Sequence, residues 1–400
     1  LLLIGLAGLH LAYALRTGLY FSQDDFAILA YFKTHSATEM VVRFLTTGDL
    51  WNFHKILGYL NLRLIFDLFG VNQFGYIFTN HLWHTINVLL VYFIISRLTM
   101  DRMKAFFIAV LFNSSYLFYF SNIHEYLVTT FSLMSIWTFL VGKKIRWSIL
   151  FFVLGLLTKE IGLSVPLVLT AINIYREKSL VPTRWFWLLA LVYGGYQASF
   201  AMGKLVLPLD HPYVATTNLL TWWHNFRYYV SVKWMVLILM ALPPAIGKKS
   251  VIFLATFLAT LLPALVLKNR QEIYYWYLPS VYLLFYLGMS LPRFTLRSSF
   301  LYLALFLFLG GRGLLPIVAR RSYPNWQLES IRQVLSKVQT EIKNNPKIKT
   351  IDLKEVKMER DAGLMVGSGV VDLFLPRLIS DKYLFEYNQN ENELQVKPLK

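Results

Sequence analysis

Two adjacent carboxylates, Asp24 and Asp25, stand just past the first hydrophobic run of this chain. A carboxylate within about 3 Å of a hydroxyl can take its proton, so such a pair is a candidate general base. It also suits a helix N-cap or the end of a span. A second candidate is the run Thr158-Lys159-Glu160, which interrupts an otherwise apolar stretch from Ile145 to Tyr175. Ionisable residues at membrane depth are functional candidates by default. Cations that could face a phosphate follow: Lys55 and Arg63 in the first long loop, and Arg270 in Lys268-Asn-Arg270-Gln-Glu272. Arg270 can grip a phosphate with two parallel hydrogen bonds. His54 shares the first loop, and Tyr277 lies in the aromatic run Tyr274-Tyr275-Trp276-Tyr277. Tyrosine and tryptophan are also ordinary residues of a membrane interface. His81 and His84 lie three apart on one helix face, and His124 precedes Glu125. No third ligand follows by spacing, so a zinc-type site is not expected. With no cysteine, disulfides and thiolate chemistry are excluded.

The elements that position these residues are apolar. The chain is 56% hydrophobic and 15% charged, with a mean hydropathy of +0.49. Soluble domains are nearer one quarter charged. A span needs about 20 apolar residues. Eleven candidate spans follow: 2–20, 76–96, 105–121, 124–141, 146–158, 161–175, 185–204, 226–246, 250–267, 274–291 and 299–318. The first lacks the basic leader and small-residue cleavage site of a signal peptide. Every second loop is basic: Arg97, Arg102 and Lys104; Lys143, Lys144 and Arg146; Arg176, Lys178 and Arg184; Lys248 and Lys249; Arg293 and Arg297. Positive charge marks the cytoplasmic side. Asp24, Asp25 and the tail then face outward. The net charge of +17 fits anionic lipid, with nucleic acid a remote second.

Keeping Arg146 and Arg176 on one side requires a break at Thr158–Gly162. Each arm is then about 12 to 15 residues, roughly 18 to 22 Å at 1.5 Å per residue. Lys159 and Glu160 would sit below the outer surface. The first outer loop, 22–75, is long enough to be functional. It carries expected helices around 25–32 and 59–69, the second interfacial. Another outer loop holds Asp210, His211 and Pro212, which read as a turn. After about 320 the charge becomes mixed. Trp326, Leu328, Ile331, Leu335, Val338 and Ile342 form an amphipathic helix, and Ile348–Leu353, Tyr383–Tyr387 and Leu394–Val396 read as strands. The expected organisation is a transmembrane domain, 1–320, and a small extracytoplasmic α+β domain, 321–400.

In combination these features resemble a GT-C superfamily integral-membrane glycosyltransferase. The carriers are Asp24-Asp25, Phe69-Gly70-Val71-Asn72-Gln73-Phe74-Gly75-Tyr76 leading into Asn80-His81-Leu82-Trp83-His84-Thr85-Ile86-Asn87, then Leu157-Thr158-Lys159-Glu160 and Tyr275-Trp276-Tyr277-Leu278-Pro279-Ser280. Similar families are the protein O-mannosyltransferases, the bacterial aminoarabinose transferases and the transmembrane O-mannosyltransferases with TPR tails. The resemblance covers about residues 1–320. This chain has Tyr59-Leu60-Asn61, with Arg63 beyond, where relatives often carry Tyr-Arg-Pro, and Asn113-Ser114 where they often carry His-Pro.

The resemblance implies an α-helical polytopic protein of a bacterial cell membrane with an extracytoplasmic active site. It would move a sugar from a polyprenyl phosphate, with inversion, to a hydroxyl on a glycan, lipid or protein. Asp24 would be the base, with Asp25 assisting. Lys159, Arg270 and Arg63 would bind the donor phosphate, and Glu160, His54 and Tyr277 would orient the acceptor. No metal is required, although an Asp pair can bind magnesium or manganese. A transporter or flippase of a lipid-linked or anionic substrate is the rival reading, and a non-catalytic relative the third. No internal repeat of the transporter kind is visible.

Overall fold

A computed structural model describes residues 2–17, 23–46, 55–113, 123–142, 145–202, 214–230, 234–235, 237–239, 241, 249–268, 273–291, 325–353, 383–388 and 393–398. The protein is mostly helical with one small sheet. In chain order the helices are α1 (Leu2–Thr17), α2 (Gln23–Thr34), α3 (Ala37–Thr46), α4 (Ile56–Phe69), α5 (Gln73–Thr99), α6 (Arg102–Asn113), α7 (Ile123–Gly142) and α8 (Ile145–Leu156). They continue as α9 (Val165–Tyr175), α10 (Arg184–Met202), α11 (Leu219–Tyr229), α12 (Val251–Leu265), α13 (Tyr277–Ser290) and α14 (Asn325–Asn344).

Eleven spans are not supported. Among the described residues one helix, Phe74–Thr99, is long and apolar enough to cross a membrane. At 1.5 Å per residue its 26 residues reach about 39 Å. The expected spans at 146–158, 161–175 and 250–267 are shorter apolar helices, and 299–318 lies outside the described residues. Local chemistry sets several boundaries. The Asn72 side chain accepts from Phe74 N–H at 3.0 Å to start α5, and Met100 ends it in the left-handed region at φ 56°. Ser36 and Glu39 cap α3 reciprocally at 3.2 and 2.6 Å. The backbone N–H and hydroxyl of Ser36 hold the exposed Glu39 carboxyl below the usual carboxylate range.

α13 is the axis of the bundle: every residue from Tyr277 to Ser290 is buried. It packs against α5, α6, α7 and α12, while α7 pairs with α8 and α5 with α6. Loops expected on one side do meet. Lys249 pairs with Glu177 at 2.6 Å, and Lys104 Nζ donates to the Leu291 carbonyl at 2.6 Å. At the other end Lys268 N–H reaches Val214 O and Thr216 N–H reaches Val266 O, both at 2.8 Å.

The expected helix break is present. α8 stops at Leu156, Lys159 is extended (φ −166°, ψ 146°), and a 3-10 turn, Glu160–Ser164, leads into α9. Pro166 sits in the first turn of α9, where its missing N–H costs nothing. Gly162 serves close approach here. A Cβ on it would lie 3.1 Å from the Gly155 carbonyl carbon, because the turn folds back onto α8.

The tail forms α14 and an antiparallel sheet, β1 (Thr350–Asp352), β2 (Tyr383–Asn388) and β3 (Glu393–Pro398), in the order β1-β3-β2. Val334, Val338 and Ile342 of α14 meet Ile351, Phe385, Leu394 and Val396 in a hydrophobic cluster of their own.

Candidate functional site

The break delivers Lys159 to the interior. Its ammonium forms an ion pair with Glu125, in the first turn of α7, and the two residues are 6% and 2% exposed. The rings of Tyr274 and Tyr275, on the 3-10 turn Ile273–Trp276, stand with centroids 4.9 and 5.3 Å from Nζ. Cation–π contacts of this kind gain most when desolvated, up to about 2 kcal/mol. Breaking a buried pair by removing one partner typically costs about 3–5 kcal/mol, because the survivor is left uncompensated. Glu125 Oε1 carries the pair. Its Oε2 is buried and has no hydrogen-bond partner among the described residues.

The first turn of α4 closes one side. Leu57 N–H donates to Leu157 O, at the break, at 3.2 Å. Gly58 lies against His124, and Tyr59 meets the same imidazole edge-on at 4.9 Å. Lys55, just ahead of α4, is near enough to Glu125 to interact electrostatically. Lys159, Glu125, His124 and Lys55 thus gather where the broken helix, α7 and α4 converge.

Beneath them lies a buried polar knot. Tyr277 OH is 2.7 Å from His84 Nδ1, and His84 Nε2 is 3.2 Å from Asn113 O. A carbonyl only accepts, so in the neutral ring Nε2 carries the proton and Nδ1 accepts from Tyr277. Asn87 Nδ2 donates to Tyr126 O at 3.0 Å and to Tyr277 OH at 3.3 Å, and Thr130 Oγ1 donates to Asn87 Oδ1 at 2.8 Å. The knot ties α5, α6, α7 and the start of α13 together.

Several expected site residues are placed elsewhere. Glu160 was expected to hold Lys159 or the acceptor; its side chain is exposed, it lies near enough to Lys159 to interact electrostatically, and the ion pair itself is made by Glu125. Tyr277 was expected at the acceptor but is fully buried in the knot. Arg63 was expected at the donor phosphate. It bonds Asp67 and the carbonyls of Phe32 and His35 instead. Asp24 and Asp25 lie in the first turn of α2, with side chains outside the described part. His54, Arg270 and the Asp210-His211-Pro212 run also lie outside the described residues.

His81 Nε2 meets Ala7 O at 2.6 Å, so His81 and His84 engage separate partners. Among the described residues, no three His, Asp or Glu side chains gather as metal ligands. The residue that sequence reasoning missed is Glu125. The sequence shows a carboxylate in the first turn of an apolar helix, and nothing in it names Lys159 as the partner. Comparison with protein-family models, with curated proteins and with solved structures finds no match.

Proposed function

We propose that this protein is an inverting, GT-C-type glycosyltransferase that moves a sugar from a polyprenyl phosphate to a hydroxyl acceptor at the extracytoplasmic face. The observation that carries the reading is the broken helix with Lys159 buried at its break, bracketed by Tyr274 and Tyr275 and paired with Glu125. A fixed cation in a dry site stabilises a departing phosphate far better than one in water. Asp24, assisted by Asp25, removes the proton from the acceptor hydroxyl. The freed oxygen attacks the anomeric carbon as the bond to the phosphate oxygen breaks. Its electron pair leaves with the lipid phosphate, beside Lys159 and Arg270.

The same broken helix favours a second reading. Discontinuous helices holding buried charges also build transporter sites. Reconstituted protein separates the two when given polyprenyl-phosphate mannose and, in parallel, tested for flipping of a labelled lipid phosphate. Transfer to water or a hydroxyl acceptor is expected in the wild type and lost in Asp24→Asn, with binding of sugar-free polyprenyl phosphate retained. Lys159→Met weakens that binding, and Lys159→Arg restores part of it. Wild-type turnover in the Asp24→Asn, Asp25→Asn double variant would sink the enzyme reading, and flipping without transfer would install the transporter.

A further inference from the structure

We propose that Arg63 is a positioning residue that clamps the acidic helix α2 in place, and that it makes no contact with the donor phosphate. The clamp is built from both ends of the guanidinium. Nε–H points at Asp67, 2.8 and 2.9 Å from its two carboxylate oxygens, one helical turn along α4. Nη1 donates to Phe32 O at 2.6 Å and to His35 O. Those carbonyls belong to the last turn of α2 and the residue just past it. Helix ends leave such acceptors without intrahelical donors. A cation is also the favoured partner for the negative end of a helix dipole. The Ser36 N–H is taken by Glu39 at the start of α3, which leaves Phe32 O for Arg63.

Leu29 and Phe32 are buried and Phe32 meets Phe66 of α4 at 6.1 Å, so an apolar stripe on α2 holds it against α4. Such a stripe is non-directional, whereas a guanidinium bonded to a carboxylate through Nε and to two carbonyls through Nη1 is a directional restraint. Asp24 lies eight residues upstream of Phe32, about 12 Å along the axis at 1.5 Å per residue. A tilt of about 10° at the clamped end would carry the acidic turn by roughly 2 Å over that lever. Misplacement by about 1 Å can cost on the order of 100-fold in rate. The rate consequence rests on the glycosyltransferase reading. The clamp itself does not.

The chain has no cysteine, so Lys33→Cys on α2 and Leu68→Cys on α4 take spin labels cleanly in the intact chain. The inter-label distance distribution is expected to be narrow with Arg63 present, and broad in Arg63→Ala and Arg63→Lys. Lysine lacks the planar fork. Asp67→Asn, a milder change, serves if Arg63→Ala does not fold, and should broaden the distribution partially. In transfer assays kcat is expected to fall at least tenfold in Arg63→Lys, while the Kd for sugar-free polyprenyl phosphate stays within about twofold. An unchanged distance distribution overturns the clamp. A Kd weakened tenfold or more makes Arg63 a phosphate ligand and overturns it too. If no variant or wild type transfers sugar, the distance measurement still decides the clamp while the glycosyltransferase reading falls alone.

Discussion

Gly58→Ala tests the closest approach at the candidate site. A Cβ built on Gly58 falls 1.8 Å from His124 Nδ1, 2.4 Å from Cε1 and 2.9 Å from Cγ. Turning the imidazole about its own bond moves the first two atoms but leaves Cγ in place, so the whole ring must retreat. His124 is 6% exposed and has Tyr59 against its ring, which limits where it can go. Overpacking of this kind costs about 1–3 kcal/mol. Alanine gains about 1 kcal/mol over glycine inside a helix. The net effect in the wild type is then a loss of roughly 0–2 kcal/mol. In a His124→Ala background the obstruction is gone and the same substitution should stabilise by up to about 1 kcal/mol. A four-protein cycle, unfolded reversibly in mixed micelles, should return a coupling of about 1–3 kcal/mol between the two sites. Additive effects, or a stabilising Gly58→Ala in the wild type, would show that α4 does not sit on the first turn of α7.

Lys159→Met should destabilise by about 3–5 kcal/mol, by leaving Glu125 buried without a counter-ion, and most of the loss should return in Lys159→Met with Glu125→Leu. Thermal unfolding of the two variants checks this, and equal losses would refute the buried pair. Tyr277→Phe should cost about 1–3 kcal/mol, because His84 Nδ1 loses its donor inside the bundle. His84→Phe with Tyr277→Phe should cost less than the sum of the single changes. A zero-length carbodiimide should join Glu177 to Lys249, read by mass spectrometry of the cross-linked peptides. Lys249 holds the Glu177 carboxyl below its usual range, so the pair is intact at neutral pH and is lost as the pH falls through that lowered value. Cross-linking by a reagent confined to the extracytoplasmic side would overturn the assignment of these loops.

The helix break was legible because three polar residues interrupt an apolar run flanked by arginines. The tail was legible because its helix shows a 3.6-residue apolar period and its strands are short apolar runs. Hydropathy marked more spans than the described residues contain helices long and apolar enough to cross a membrane. An apolar run of about 20 residues does not reveal where a proline, a 3-10 turn or a capped start cuts it, as at Ile273–Trp276 before α13. Long-range partners were illegible for a different reason. Glu125 is 34 residues from Lys159, and Arg63 is 31 from Phe32. Such distances in sequence carry no period or motif. Arg63 had the residue type of a phosphate ligand, and only the carbonyls around it reveal its use. Tyr277 likewise had the residue type of an acceptor-orienting group, although its hydroxyl is satisfied inside the bundle.

The knot at Tyr277 also bears on synthesis. Its hydroxyl bonds an imidazole 193 residues earlier in the chain. Ribosomes add about 5–20 residues per second, so His84 precedes its partner by roughly 10–40 s. During that interval α5, α6 and α7 can pair while their shared polar residues still lack the Tyr277 hydroxyl. The ammonium of Lys159 waits a shorter time for its two tyrosines, and the carboxylate of Glu125 reaches it first. Assembly therefore proceeds from the ion pair to its aromatic cover. Nascent chains halted before α13 should bear a charged, open pocket that quality-control proteases can recognise.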